Sequence, residues 1–262
     1  MSETLTVAVA QCPGNLEGRN ARLAWIAGTL AGPMHPKPDL MILPELFQCG
    51  YNCGDDIPAR AESSDGPFAQ AMAALAQQHG IALLYGYAET EGDRLFNAAQ
   101  CIDRTGTVIG THRKLMLPPG FEGEIFTPGE GVALFQLGAF RIAILVCYDV
   151  EFPETLRQAA TLGADLVAVP TALSARWGVV SDHLVATRAF ENGLYLAYAN
   201  YCGRENGLAY YGGSCIVAPD GTDMARAAGI QGVLVATLDR AAVAATRSRL
   251  PYLRDSAQLM QT

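Results

Sequence analysis

Short apolar runs, broken by glycine and proline, alternate along the chain with stretches whose apolar residues repeat at helical spacing. Leu5 to Ala10, Leu40 to Leu43, Ile81 to Ala88, Ile142 to Val146, Ala164 to Val169, Tyr195 to Ala199, Gly213 to Ala218 and Val233 to Leu238 are the apolar runs. Such runs predict strands covered on both faces. Asn20 to Leu30 carries Leu23, Ile26, Ala27 and Leu30 on one helical stripe. Phe68 to His79 is alanine-rich and stopped by Gly80, again a helix. Leu95 to Asp103 and Thr107 to Thr111 predict a hairpin around Arg104-Thr105-Gly106, and Val132 to Leu137 one with the strand from Phe140. Ser181-Asp182 caps a helix expected from about His183 to Asn192. Arg113 to Gly131 reads as a long irregular loop, a kind of segment that usually carries function. The tail from Arg240 to Thr262 has no clear partner within the chain.

Strands and helices alternate in both halves, with hairpins between, which predicts an α/β fold with mixed sheets. No linker or low-complexity segment divides the chain, so residues 1–262 are expected to form a single domain. The short buried strands are too many for one comfortable sheet. Two sheets packed face to face, with helices outside, accommodate them better.

The apolar run that ends at Val146 leads straight into Cys147-Tyr148-Asp149-Val150-Glu151-Phe152-Pro153-Glu154. Pro153 suits the first turn of a helix, where its missing N–H costs nothing; Glu154 to Leu162 continues that helix and Gly163 ends it. Cys147 therefore stands where a buried strand turns toward a helix. A thiol so placed is a candidate nucleophile with free backbone N–H groups beside it. The competing reading is a buried structural cysteine.

Composition narrows the partners. The net charge is −8 and no Arg/Lys run occurs, which argues against nucleic acid. No apolar run reaches the roughly 18 residues of a membrane span. Met1-Ser2-Glu3-Thr4-Leu5 lacks the basic segment and apolar core of a signal peptide, so a cytoplasmic protein is expected. The seven cysteines are odd in number and scattered, which argues against a disulfide framework in that compartment. Cys49 and Cys53 have no matching second pair that would make a zinc site.

Glu45, Lys114 and Cys147 lie just past apolar strands or open a loop. The chemistry that uses them together is acyl transfer from a C–N bond: a thiolate attacks, a carboxylate moves the proton, and an ammonium holds the oxyanion. None of the four histidines has a motif of its own.

Leu43-Pro44-Glu45, His112-Arg113-Lys114 and Val146-Cys147-Tyr148-Asp149-Val150-Glu151-Phe152-Pro153-Glu154 stand in the order and rough spacing of the nitrilase (carbon–nitrogen hydrolase) superfamily, which the chain resembles over nearly its whole length. Gly50-Tyr51-Asn52, Phe126-Thr127-Pro128-Gly129 and Val169-Pro170-Thr171-Ala172 fit as well. The resemblance implies a four-layer α-β-β-α sandwich of two mixed sheets, commonly a homodimer or higher oligomer. It implies Glu45 as general base, Lys114 as oxyanion stabiliser, Cys147 as nucleophile and the Tyr148 N–H as a second oxyanion donor. A further glutamate follows the lysine in many members; Glu122 fits that place, with Glu124 close enough to leave the choice open. No metal or organic cofactor is implied. Within the superfamily the chain looks most like small bacterial amidases of the 5-aminopentanamidase type, from which the loop Leu115 to Gly123 departs. A small aliphatic carboxamide, with or without an amine, is thus the expected substrate, with a nitrile or an N-carbamoyl compound as the alternative. A non-catalytic module on the same fold is a third reading, disfavoured by the presence of all three of Glu45, Lys114 and Cys147.

Tyr51, Tyr148 and Trp177 are candidate pocket walls, set against plain core packing. Asp149 and Glu151 could recognise a cationic tail, or bond only nearby backbone and Arg157; the structural role is favoured. The tail, with Leu250, Tyr252, Leu253 and Leu259, is expected to reach a second subunit in a homodimer.

Overall fold

β1 (Thr4–Pro13) runs through the larger of two main sheets in the computed structural model, which describes residues 3–259 and only the backbone of Leu259. The chain continues through α1 (Gly18–Ala31), β2 (Leu40–Ile42), α2 (Asp56–Arg60), α3 (Pro67–His79), β3 (Ala82–Glu91), β4 (Arg94–Ile102), β5 (Val108–Arg113) and α4 (Phe121–Ile125). Next come β6 (Leu134–Leu137), β7 (Phe140–Ile144), α5 (Pro153–Thr161), β8 (Leu166–Pro170), α6 (Val185–Asn192), β9 (Tyr195–Ala199) and β10 (Tyr201–Cys202). The last part holds β11 (Arg204–Glu205), β12 (Leu208–Ala209), β13 (Cys215–Val217), β14 (Asp223–Arg226), β15 (Gly232–Asp239), α7 (Arg240–Arg249) and α8 (Tyr252–Leu259); β11 and β12 pair in a small sheet of their own.

The first sheet has seven strands in the order β10-β1-β2-β3-β4-β5, with β15 also paired to β1; the second has six, β14-β13-β9-β8-β7-β6. Both are mixed: β1, β2 and β3 run parallel, while β3, β4 and β5 form an antiparallel meander. Alternate residues decide the layers. Val7, Val9, Ile42 and Leu84 of the first sheet meet Ile142, Ile144, Leu166 and Ala197 of the second in one buried cluster. Ala8, Met41 and Leu83 face the other way, onto Ile26 of α1 and Phe68 and Met72 of α3. Ala143, Val167 and Leu196 likewise face Leu156 of α5 and Val185 of α6. The result is the expected four-layer α-β-β-α sandwich. Helix ends follow local chemistry: α3 has Pro67 in its first turn and Gly80 in the left-handed region at φ 63°, where its N–H reaches Ala76 and Gln77 carbonyls. No helix among the described residues is long and apolar enough to cross a membrane.

Three expectations need correction. The Arg113–Gly131 segment is not wholly irregular, because it contains α4, a five-residue helix too short to show periodicity. The helix at 180–192 starts before His183, with a π turn over Val180–Leu184 leading into α6. The tail does have partners within the chain. Val243 of α7 is buried in the inter-sheet cluster, Arg240 pairs with Asp165 at 3.2 Å, and Arg247 donates to the Ala164 carbonyl at 2.8 Å. Leu253 packs on the second sheet's helix layer, and Tyr252 meets Phe190 edge-on at 5.8 Å. α7 is half alanine and valine and half arginine, threonine and serine, and its polar links to the core run through arginine stems and main-chain carbonyls, which a hydrophobic pattern does not reveal. The Leu259 side chain named with this tail lies outside the described residues.

Candidate active site

Four chain segments converge at one end of the sandwich. The first is the elbow after β7. Leu145 still pairs through its N–H with Ala168, but Cys147 adopts φ 44°, a left-handed conformation that costs a non-glycine residue energy. A 3-10 turn over Cys147–Glu151 follows, and then Pro153 opens α5. The strain turns the thiol out of the sheet and leaves the Tyr148 N–H in a first turn, where intrahelical acceptors are absent. Cys147 keeps 9% of its surface exposed.

Glu45 follows β2 and is fully buried. Its carbonyl accepts from the Tyr201 hydroxyl at 2.9 Å, and the Pro44 carbonyl accepts from Gly86 N–H at 3.1 Å. Gly86 is required by that close approach: a Cβ there would lie 2.4 Å from Leu46 N and 2.6 Å from Glu45 Cα. Lys114 follows β5, held by its N–H to the Asn97 carbonyl at 2.8 Å. Its ammonium is fully buried between two carboxylates, 2.7 Å from Glu45 Oε1 and 2.7 Å from Glu122 Oε2. Glu122 comes from α4, while Glu124 on the same turn is exposed. The geometry therefore distinguishes the two glutamates that the sequence left open. Asn97 Nδ2 donates to both Glu45 Oε1 at 2.7 Å and Glu122 Oε2 at 2.9 Å, and the Tyr51 hydroxyl donates to Glu122 Oε1 at 2.7 Å. Glu45 Oε2 has no hydrogen-bond partner among the described residues, and neither has Asn97 Oδ1.

Asp149 joins two of these segments. Its carboxylate accepts from Val146 N–H at 3.0 Å, Leu115 N–H at 3.0 Å and Met116 N–H at 2.9 Å, and meets His112 Nε2 at 3.0 Å. The nucleophile elbow and the lysine loop are thereby tied to one buried group. Arg157, considered as its partner, instead donates to the Glu191 carbonyl at 2.9 Å.

Burial sets the electrostatics. Desolvation pushes the Glu45 carboxyl up to about 7, with Lys114 opposing and Glu122 adding to the rise. Burial works against the Lys114 ammonium, yet Glu45 and Glu122 outweigh it and raise its pKa. The Cys147 thiol is pushed well up by burial and by the Glu45 charge, so it needs a base to lose its proton.

Above these groups opens a cavity of about 670 Å³, lined by Cys147, Glu122, Tyr51, Tyr148, Glu151, Pro118, Pro119 and Trp177, among others. All three aromatic candidates thus reach it. Tyr148 is half-buried with its ring edge-on to Phe152 at 5.0 Å, and Trp177 stands at the rim, 56% exposed. A second hollow of about 590 Å³ beside Arg19, Arg60 and Glu62 contains none of the reactive groups. Sequence reasoning missed Asn97 and Tyr201. Asn97 left a faint signal, an amide inside the apolar strand Phe96-Asn97-Ala98-Ala99; Tyr201 left none, since its hydroxyl serves a main-chain carbonyl far away in sequence.

Known proteins resemble this chain over nearly its whole length. The carbon-nitrogen hydrolase family model matches residues 6–248. A Pseudomonas protegens protein described as a hydrolase in the pqqF 5' region is 40% identical over 97% of this chain and 89% of its own. An amidase from Nesterenkonia sp. AN1 superposes with a TM-score of 0.87 at 34% identity, covering 98% of each chain. A Glu-to-Gln variant of that amidase carries the acetamide moiety of fluoroacetamide covalently at its active-site cysteine; it matches at 32% identity and a TM-score of 0.83, over 98% of this chain and 95% of its own. These names support an amidase and do not extend to 5-aminopentanamide.

Proposed function

Because the chain belongs to the carbon–nitrogen hydrolase (nitrilase) superfamily, we propose that it hydrolyses a small aliphatic carboxamide to acid and ammonia through a thioester on Cys147. The observation that carries this reading is a buried Glu45–Lys114–Glu122 ion cluster at the Cys147 cavity, in which only Glu45 Oε2 is unpartnered among the described residues. That oxygen takes the thiol proton as Sγ attacks the amide carbon. The oxyanion that forms is held by the Lys114 ammonium and the Tyr148 N–H. Glu45 then passes the proton to the leaving nitrogen, and the C–N bond breaks to give ammonia and the thioester. Water, deprotonated by Glu45, attacks the thioester; the acid leaves and the thiol regains its proton. Glu122, 2.7 Å from the Lys114 ammonium, keeps that ammonium aimed.

A feature of the cavity supports an amine-bearing substrate such as 5-aminopentanamide. Glu151 lines it, half-buried, with its carboxylate making no hydrogen bond or ion pair to the described residues. Cys147 and Glu151 are four residues apart on a 3-10 turn, about 8 Å of rise, a span that a short aliphatic chain can bridge. The test is ammonia release from pentanamide, 5-aminopentanamide, pentanenitrile and an N-carbamoyl amine. Release from both amides, faster from the amine-bearing one, is expected. Ammonia from the nitrile alone, or carbon dioxide from the carbamoyl compound, would replace this reading with one of its alternatives.

A further inference from the structure

Besides the catalytic cluster, a second ion pair is buried nearby. Arg22 and Glu205 meet at 3.1 Å with side chains 1% and 5% exposed. Such a pair is costly to desolvate and is weak evidence for stability by itself. What distinguishes this one is the set of other donors that Glu205 collects. Its Oε2 accepts from the backbone N–H of Tyr51 at 3.1 Å and of Asn52 at 2.8 Å, and from the Tyr210 hydroxyl. The adjoining main chain is tied as well: Asn52 Nδ2 donates to the Glu205 carbonyl at 3.1 Å, and Asn206 Nδ2 to the Asn52 carbonyl at 2.8 Å.

The segment held in this way is the one that supplies Tyr51. The Tyr51 ring rests edge-on against Phe121 at 5.1 Å, and its hydroxyl donates to Glu122 Oε1. Glu122 in turn receives the Lys114 ammonium. One continuous path of hydrogen bonds and ion pairs therefore runs from Glu205, through the Tyr51 backbone and hydroxyl, to the group that stabilises the oxyanion.

We propose that Glu205 is a positioning residue: its carboxylate fixes the Tyr51 backbone, so that the Tyr51 hydroxyl holds Glu122 against Lys114. The proposal rests on the Glu45–Lys114–Cys147–Glu122 reading above and extends it to a residue that touches no substrate. In sequence Glu205 sits in Gly203-Arg204-Glu205-Asn206-Gly207, a polar turn that reads as solvated surface; only the fold buries it.

The test is a double-mutant cycle of Glu205→Gln and Tyr51→Phe. Two rates are measured for each protein: kcat for pentanamide per titratable Cys147, and the rate of Cys147 alkylation by iodoacetamide. Each single variant is expected to lose about 10-fold in kcat, the value of one hydrogen bond to a charged group. The double variant should be no slower than the worse single one, because Glu205 acts through the Tyr51 hydroxyl. A purely structural carboxylate would lower Tm and leave kcat per thiol unchanged. That result overturns the proposal, and so do independent losses that multiply to about 100-fold. If the unaltered protein releases no ammonia from any amide, the proposed function fails and the alkylation cycle still decides this point. Alkylation rates that shift in both single variants and do not add support positioning; unchanged or additive rates refute it. Should Glu205→Gln fail to fold with Arg22 left unpaired, Arg22→Met with Glu205→Gln removes both charges together and enters the same cycle.

Discussion

Asp149→Asn isolates the clamp that ties the nucleophile to its ammonium. The native carboxylate offers Oδ1 to two backbone donors, Leu115 and Met116, and Oδ2 to Val146 N–H and His112 Nε2. An amide at this position keeps one oxygen. If that oxygen serves Leu115 and Met116, the new NH2 faces the Val146 N–H, donor against donor. His112 can adapt, because its Nδ1 now lacks a partner and can carry the proton while Nε2 accepts. The Val146 contact cannot. The loss is one hydrogen bond to a charged group, about 1.5–3 kcal/mol, plus one stranded buried N–H, about 1–3 kcal/mol. Together these reach about 2.5–6 kcal/mol, a large share of the 5–15 kcal/mol that ordinarily holds a domain. Urea unfolding with an unchanged m-value reads this as a lowered midpoint. Val146 precedes Cys147 and Leu115 follows Lys114, so kcat per folded molecule should also fall at least about 10-fold. A stability loss under about 1 kcal/mol together with native kcat would show that the four contacts at Asp149 do not hold the elbow and the lysine loop in register.

Cys147→Ala should abolish ammonia release while circular dichroism and thermal unfolding stay native; near-native turnover would remove the thiol from the mechanism. Glu45 must be ionised to accept the thiol proton, and burial raises its carboxyl to about 7. The carboxylate is therefore lost as pH falls, and log kcat/KM should drop with unit slope below about 7; a profile flat to about pH 5 would exclude Glu45 as the titrating base. Gly86→Ala puts a Cβ 2.4 Å from Leu46 N, so it should displace Glu45 and lower kcat with a stability loss of about 1–3 kcal/mol, measured by denaturant titration. Leu162, Val179, Phe190 and Tyr252 expose 43%, 52%, 36% and 39% of their surfaces on or beside the second sheet's outer helices, and the proposed homodimer would cover this face; a monomer in sedimentation at micromolar concentration would count against it.

The parts of this molecule that were legible in the sequence are those whose signal is local. Apolar runs marked the inner strands, because a strand buried on both faces tolerates little else. Gly80 and Pro153 marked helix ends because their backbones fix the turn chemistry. Glu45, Lys114 and Cys147 stood out as polar residues at the ends of apolar strands. α4 escaped because five residues make barely more than one turn. The intrachain docking of α7 escaped because arginine-to-carbonyl bonds leave no periodic trace. Asn97, Tyr201 and Glu205 escaped for a common reason: each bonds partners at least 25 residues away in sequence.

That separation also explains why the site lies where it does. Lys114 carries one positive charge between two carboxylates, a group that water would dissolve if it were exposed. Holding it dry demands that every remaining donor and acceptor be met by rigid neighbours. The sandwich provides them from four strands: Asn97 from within β4, Lys114 from just past β5, Tyr201 from β10, and the elbow that continues β7. None of these strands is adjacent in sequence to all the others, so no short segment can form the site. Among the described residues of this network two side-chain oxygens are left unmet, Asn97 Oδ1 and Glu45 Oε2, and the second is the acceptor that the reaction needs. A buried acceptor without a partner costs stability, and here the surrounding network supplies the rigidity that keeps it available for the thiol proton.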